Sequence, residues 1–155
     1  MHFRAVGLSL SQFAPLFALD DAALAQRGMR RMTADSKPGF PCRVTLEDAE
    51  PGETLILLPF AHQPADTPYR ASGPIFVREK AHRVFDAVDQ VPPVLRTRLL
   101  SLRAYDAEGF MREADVVDGA EVEDAIARLF ADEAVSYLHV HNAKRGCFAC
   151  RVERA

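Results

Sequence analysis

The stretch that decides the fold is the C-terminal YLHVHNAKRGCFACRVERA, residues 137–155. Its first half alternates. Leu138 and Val140 share one side, and Tyr137, His139 and His141 the other, which is the period of a strand. Its second half alternates too, with Phe148, Cys150 and Val152 opposed to Cys147, Ala149, Arg151 and Glu153. Matching the apolar sides pairs Val140 with Phe148 and Leu138 with Cys150, with NAKRG as the turn and Gly146 supplying its positive φ. The expected element is a hairpin over 135–154. In that register His141 lies opposite Cys147, His139 lies opposite Ala149 near Arg151, and Cys150 points into the core.

Working back from this hairpin, residues 98–117 read as a second one. Leu100, Leu102 and Ala104 alternate with polar neighbours, and DAEG at 106–109 makes the turn. A helix is expected over 119–131. Val122, Ala125, Ile126, Leu129 and Phe130 recur at i, i+3, i+4, i+7 and i+8. Asp118 and Glu121 form a capping-box variant, and Val117 and Val122 a hydrophobic staple. Further upstream, Thr54–Phe60 reads as a buried strand and Ile75–Arg78 as a short one. The proline-rich residues 61–74 between them read as irregular. Near the N-terminus, Phe3–Val6 suggests a strand, and Asp20 or Asp21 caps a short helix that stops at Gly28. Hairpins without β-α-β alternation define an α+β single domain, a mainly antiparallel sheet with two or three helices packed on it.

Composition fits one globular domain over residues 1–155. Of 155 residues, 48% are hydrophobic and 26% charged, with a formal net charge of −3. That balance gives no global attraction to nucleic acid or to an acidic membrane surface. No apolar run approaches the roughly 18 residues of a membrane span. The N-terminal apolar stretch is interrupted by polar residues and Pro15, unlike a signal peptide. Three cysteines are too few for a disulfide scaffold, so reduced thiols and a cytoplasmic setting are expected.

The chemistry-bearing residues fall in three stretches. In the terminal hairpin, Cys147 opposite His141, near Arg151 and the Lys144–Arg145 turn, has the adjacency a thiol nucleophile and its base require. A four-ligand His/His/Cys/Cys zinc site is not expected, because Cys150 lies on the wrong face. In CRVTLEDAEPGE, residues 42–53, Arg43 can fork onto a carboxylate or phosphate, or pair with Glu47 or Asp48. In PYRASGPIFVRE, residues 68–79, Ser72-Gly73-Pro74 reads as a turn opening onto a strand. Its amides would form a small anion nest beneath Arg70. His62 and His82 read as isolated surface histidines.

These three runs, CRVTLEDAEPGE, PYRASGPIFVRE and HVHNAKRGC (139–147), together resemble a bacterial family known only as a domain of unknown function, number 1203 in its series. The resemblance spans nearly the whole chain. It implies a single domain and carries over no activity and no catalytic residue.

The expectation is a protein that binds, and if there is chemistry transforms, a small anionic molecule. Arg43 and Arg70 would hold the anion, with Tyr69, Ser72, Gly73 and His139 lining the site. His141 would act as base and Cys147 as nucleophile. No cofactor, no metal, no nucleic acid and no membrane partner is expected. One alternative is a non-enzymatic interaction module whose polar face docks a protein. Another is a metal-binding protein using His139 and His141 with a carboxylate.

Overall fold

The computed structural model describes all 155 residues, Met1–Ala155. Nine strands form two antiparallel sheets. They are β1 (Phe3–Val6), β2 (Arg30–Thr33), β3 (Thr54–Gln63), β4 (Ala71–Arg78), β5 (Asp86–Val88), β6 (Leu99–Tyr105), β7 (Met111–Asp118), β8 (Tyr137–Asn142) and β9 (Phe148–Arg154). The larger sheet has the order β5-β1-β9-β8-β6-β7, the smaller β2-β3-β4. The α-helices are short: α1 (Asp21–Gln26), α2 (Pro93–Arg96) and α3 (Val122–Leu129). The α+β, mainly antiparallel architecture is the one its sequence pattern implies. No helix is long and apolar enough to cross a membrane.

The apolar face of the larger sheet builds the main core. Leu100, Leu102 and Ala104 of β6, Leu138 and Val140 of β8, and Cys150 and Val152 of β9 pack with Val122, Ala125, Ile126 and Leu129 of α3. Helix α3 opens through a 3-10 turn, Gly119–Glu121, and the Asp118 side chain caps it by accepting from the Ala120 N–H at 3.0 Å. Gly119 is required there. A Cβ would lie 1.9 Å from the Leu95 carbonyl oxygen, so α2 and α3 approach through its bare backbone. Asp20 caps α1 through the Ala23 N–H.

A second core lies between the smaller sheet and the N-terminal segment. Ile56 and Leu58 of β3 and Ile75 and Val77 of β4 meet Phe13, Leu16 and Leu24. The region read as irregular from its prolines, 61–74, is loop only over 64–70, with strand at either end. β3 continues to Gln63, and β4 begins at Ala71, with Pro59 opposite Pro74 and Phe60 opposite Gly73. Both are places that tolerate proline: Pro74 lies on the edge strand β4, and Pro59 lies past Leu57, where the pairing of β3 with β2 ends. Because Ile56, Leu58, Phe60 and His62 share one side of β3, its far end carries Phe60 and His62 over the second face of the larger sheet. There they meet Phe148, with ring centroids 6.4 and 5.6 Å away.

The terminal hairpin forms, in a different register. Val140 pairs with Cys150, Leu138 with Val152 and His139 with Arg151. A bulge between Val140 and His141 then sets His141 opposite Phe148. The shift of two residues leaves Leu138, Val140, Cys150 and Val152 on the core face. The bulge turns Phe148 to the other face, among His62, His139 and His141. Alternation alone does not register an inserted residue.

Candidate functional site

Two polar constellations flank this bulge. The first is a cavity of about 450 Å³ at the end of the β8–β9 hairpin, within the ordinary range for small-molecule sites. Its apolar wall includes Met32, Phe40 and Phe76; the two phenylalanine rings lie 5.2 Å apart. Its polar wall holds Arg43, Arg98, Lys144, Arg145, Asn142 and Cys147. Four of the thirteen lining residues are cations and none is a carboxylate, in a chain whose net charge is −3.

Arg43 is the unusual member. Only 2% of it is exposed, yet it forms no ion pair. Its Nε donates to the Phe148 carbonyl at 2.7 Å and its Nη1 to the Pro41 carbonyl at 2.5 Å. The two acids that flank it in sequence are engaged elsewhere. Asp48 takes both Nη atoms of Arg98, and Glu47 takes Arg78. Burial pushes the Arg43 guanidinium below its ordinary value, and the nearby Cys147 sulfur opposes that shift. A guanidinium nonetheless remains charged in a protein. Taking a cation out of water without a counter-charge is costly, so the carbonyl pair compensates only in part. Arg98 is electrically neutralised by Asp48, whereas Arg43, Lys144 and Arg145 have no carboxylate partner.

Cys147 is the accessible thiol; Cys42 and Cys150 are buried. Its sulfur accepts from Asn142 Nδ2 at 3.4 Å. His141 does not serve it as a base. The bulge sets Phe148 across from His141, and His141 Nδ1 bonds the Gly146 carbonyl at 2.9 Å. Because a carbonyl only accepts, that nitrogen carries the proton, and Nε2 is the bare one. The Asn142 side-chain oxygen is buried without a partner.

The second constellation is the aromatic and histidine layer between the sheets. His139 and His141 are buried, and His62 is half-buried. One ring nitrogen from each lies within 4.8 Å of the others. Tyr137 and Tyr105 stack beside them at 5.4 Å, and Gln63 Nε2 donates to the Tyr137 hydroxyl at 2.9 Å. Burial, reinforced by neighbouring arginines, pushes His139 down to about 3 and His141 to about 4, and lowers His62. All three rings are neutral at pH 7.

The residues expected to share one site are thus divided. Arg43 and Cys147 line the cavity, while His139 and His141 face the inter-sheet layer. Ser72 and Gly73 border a separate shallow depression with Arg30, Leu57 and Pro59. They lie inside β4 rather than in a turn, so there is no nest. Arg70 is exposed, and Tyr69 packs on Tyr105 and Phe110. Three contributors were missed. Arg98 and Asn142 carry no local motif. His62 became legible only once β3 extended past Phe60, where alternation puts it on the side of Ile56 and Leu58.

The fold and site define a small two-sheet α+β domain with a cationic cavity beside a buried histidine layer. The chain belongs to the family described as "Protein of unknown function (DUF1203)", whose pattern matches residues 39–154. That span contains the whole histidine layer and nearly all of the cavity wall, Met32 excepted. No curated protein and no solved structure matches the chain.

Proposed function

We propose that this protein binds a small anion that carries an apolar body, in the cavity between Phe40, Phe76 and the β8–β9 turn. The observation that carries this is the buried Arg43 guanidinium, unpaired with any carboxylate, at the wall of a cavity lined by four cations and no acid. A phosphate or carboxylate would supply the missing counter-charge, with Lys144 and Arg145 closing on it from the turn. The adjoining phenylalanines would take the ligand's flat apolar part. Cys147 at the same wall lacks a base, so binding is the reading its geometry favours over nucleophilic chemistry.

The test is isothermal titration with phenyl phosphate and with inorganic phosphate, on wild type and on Arg145→Glu. Lys144 and Arg145 are exposed, so this substitution leaves the fold intact. Phenyl phosphate should bind more tightly than inorganic phosphate, and more weakly as salt rises. Arg145→Glu should weaken it roughly tenfold or more, the value of a charge-assisted hydrogen bond. No heat from either probe, or equal binding by the variant, would reject the proposal.

A further inference from the structure

We infer that His62, His139 and His141 form a binding site for a divalent first-row transition metal, with zinc as the expected occupant. The site is independent of the anion cavity. It joins β3 of the smaller sheet to β8 of the larger, and stands on three observations.

The first is unsatisfied polarity. His62 Nδ1, His139 Nδ1 and His141 Nε2 are all buried with no hydrogen-bond partner. Buried polar atoms almost always find one, and three in a single cluster is far outside the ordinary incidence. A metal ion is an electron-pair acceptor, and it takes the lone pair of an unprotonated imidazole nitrogen that no hydrogen-bond donor reaches.

The second is distance. One ring nitrogen from each histidine lies within 4.8 Å of those of the other two. Two nitrogens on a tetrahedral zinc, each about 2.0–2.1 Å from it, sit about 3.3–3.4 Å apart. Small side-chain rotations close that gap.

The third is the orientation of a ligand. His141 is held as metal-ligating histidines are. Its Nδ1–H is tied to the Gly146 carbonyl, leaving Nε2 as the donor. Three imidazoles suit zinc, copper, nickel or iron, and exclude the oxygen-seeking magnesium and calcium.

The surrounding charge defines the fourth ligand. Arg103 bears on all three rings, Arg151 on His139 and Arg43 on His141. These cations oppose a bare dication as they oppose an imidazolium. No carboxylate completes the cluster. The metal would therefore be held with an anionic fourth ligand, hydroxide or a small carboxylate, facing Arg103.

The experiment is titration of tag-free, metal-stripped protein with cobalt(II), followed by visible absorption and by competition with zinc. One equivalent of cobalt should give d–d bands of four- or five-coordinate nitrogen ligation, without the thiolate charge-transfer band that Cys147 would add, and zinc should displace it. His62→Phe should stay folded, because Phe148 already stacks on that ring position. It should weaken cobalt binding by more than the roughly 10–100-fold that loss of an outer partner costs. The double substitution His2→Gln and His82→Gln should leave binding unchanged. Should His62→Phe fail to fold, imidazole nitrogen NMR of wild type replaces it. Zinc must then shift one nitrogen in each of His62, His139 and His141. Absence of d–d bands, unchanged affinity in folded His62→Phe, loss of binding on removing His2 and His82, or unshifted imidazole nitrogens would each overturn the site.

Discussion

The two faces of β8 are equally buried and chemically opposite. Leu138 and Val140 point to α3 and are completely dry. Tyr137, His139 and His141 point to the smaller sheet, and each is at least 92% buried. The first face is a conventional helix-on-sheet core, where every atom has packing partners. The second holds imidazole nitrogens with nothing to bond. The same strand, with the same solvent exclusion, therefore contributes stability on one side and leaves unmet polarity on the other. A face that served only as core would need no such nitrogens, and this unmet polarity is what the proposed metal site would satisfy.

The largest effect is expected on the dry face. Leu129→Ala, on α3, should lower stability by about 2–5 kcal/mol in denaturant unfolding, as buried large-to-small changes do. A loss below about 0.5 kcal/mol would mean that α3 does not seal this face.

Arg43→Met should have an intermediate effect. It leaves the Phe148 and Pro41 carbonyls without donors while relieving a buried charge, so about 1–3 kcal/mol should be lost. Phenyl phosphate binding should vanish with it. A variant that keeps full affinity would remove Arg43 from the binding role.

On the polar face the sign should reverse. His139→Phe replaces an unsatisfied ring by an apolar one of similar shape, and should be neutral or stabilising at pH 7. It should also change the response to acid. His139 and His141 are held at about 3 and about 4 against an ordinary 6.5, so the unfolded chain binds more protons than the native one in between. Their contribution is fully present above pH 6.5 and is lost as pH falls toward 4. Asp48 and Glu53, lowered by Arg98 and Arg78, also lose their contribution in acid, but below their ordinary values of 3.8 and 4.5. Between pH 6.5 and 4.5 the decline therefore belongs to the histidines, and His139→Phe should flatten it. An unchanged slope in that window would show that these rings accept protons freely in the native state.

The smallest effect is expected at the residues that sequence alone placed in the site. Ser72→Ala and Arg70→Ala should leave phenyl phosphate binding unchanged, since neither borders the cavity.

These contrasts also show what was legible. Periodicity located β1, β6, β8, β9 and α3, because each buries an apolar face, and it located β7 through its alternation beyond the DAEG turn, although β7 itself buries no residue. It missed β2, whose RRMT has no apolar rhythm, and β5, a three-residue edge. It shortened β3 and β4, because proline argues against strand unless the strand lies at an edge or near its end. Arg43 and Cys147 were found together, since both sit in turn-rich stretches with nearby charge. His62 was set apart, because its neighbours lie 77 and 79 positions away in the chain. The His141–Cys147 pair failed on register: the hairpin pairs two residues further along β9 than matched apolar sides suggest, and the bulge takes back only one, leaving Phe148 opposite His141. A strand reverses its facing at every step, and a bulge carries no mark in the composition.

The pocket's field can be tested without knowing the ligand. Cys147 is the accessible thiol, and it lies among Arg43, Lys144 and Arg145. Its alkylation by iodoacetate, an anion, and by iodoacetamide, its neutral counterpart, should be followed by mass spectrometry at low salt and near-neutral pH. Glutathione in the same buffer gives the intrinsic ratio of the two reagents. An anion-binding cavity raises the iodoacetate-to-iodoacetamide ratio at Cys147 above that of glutathione, with the excess lost in Arg145→Glu and at high salt. A ratio equal to or below that of glutathione, insensitive to salt, would contradict an anion site at Arg43.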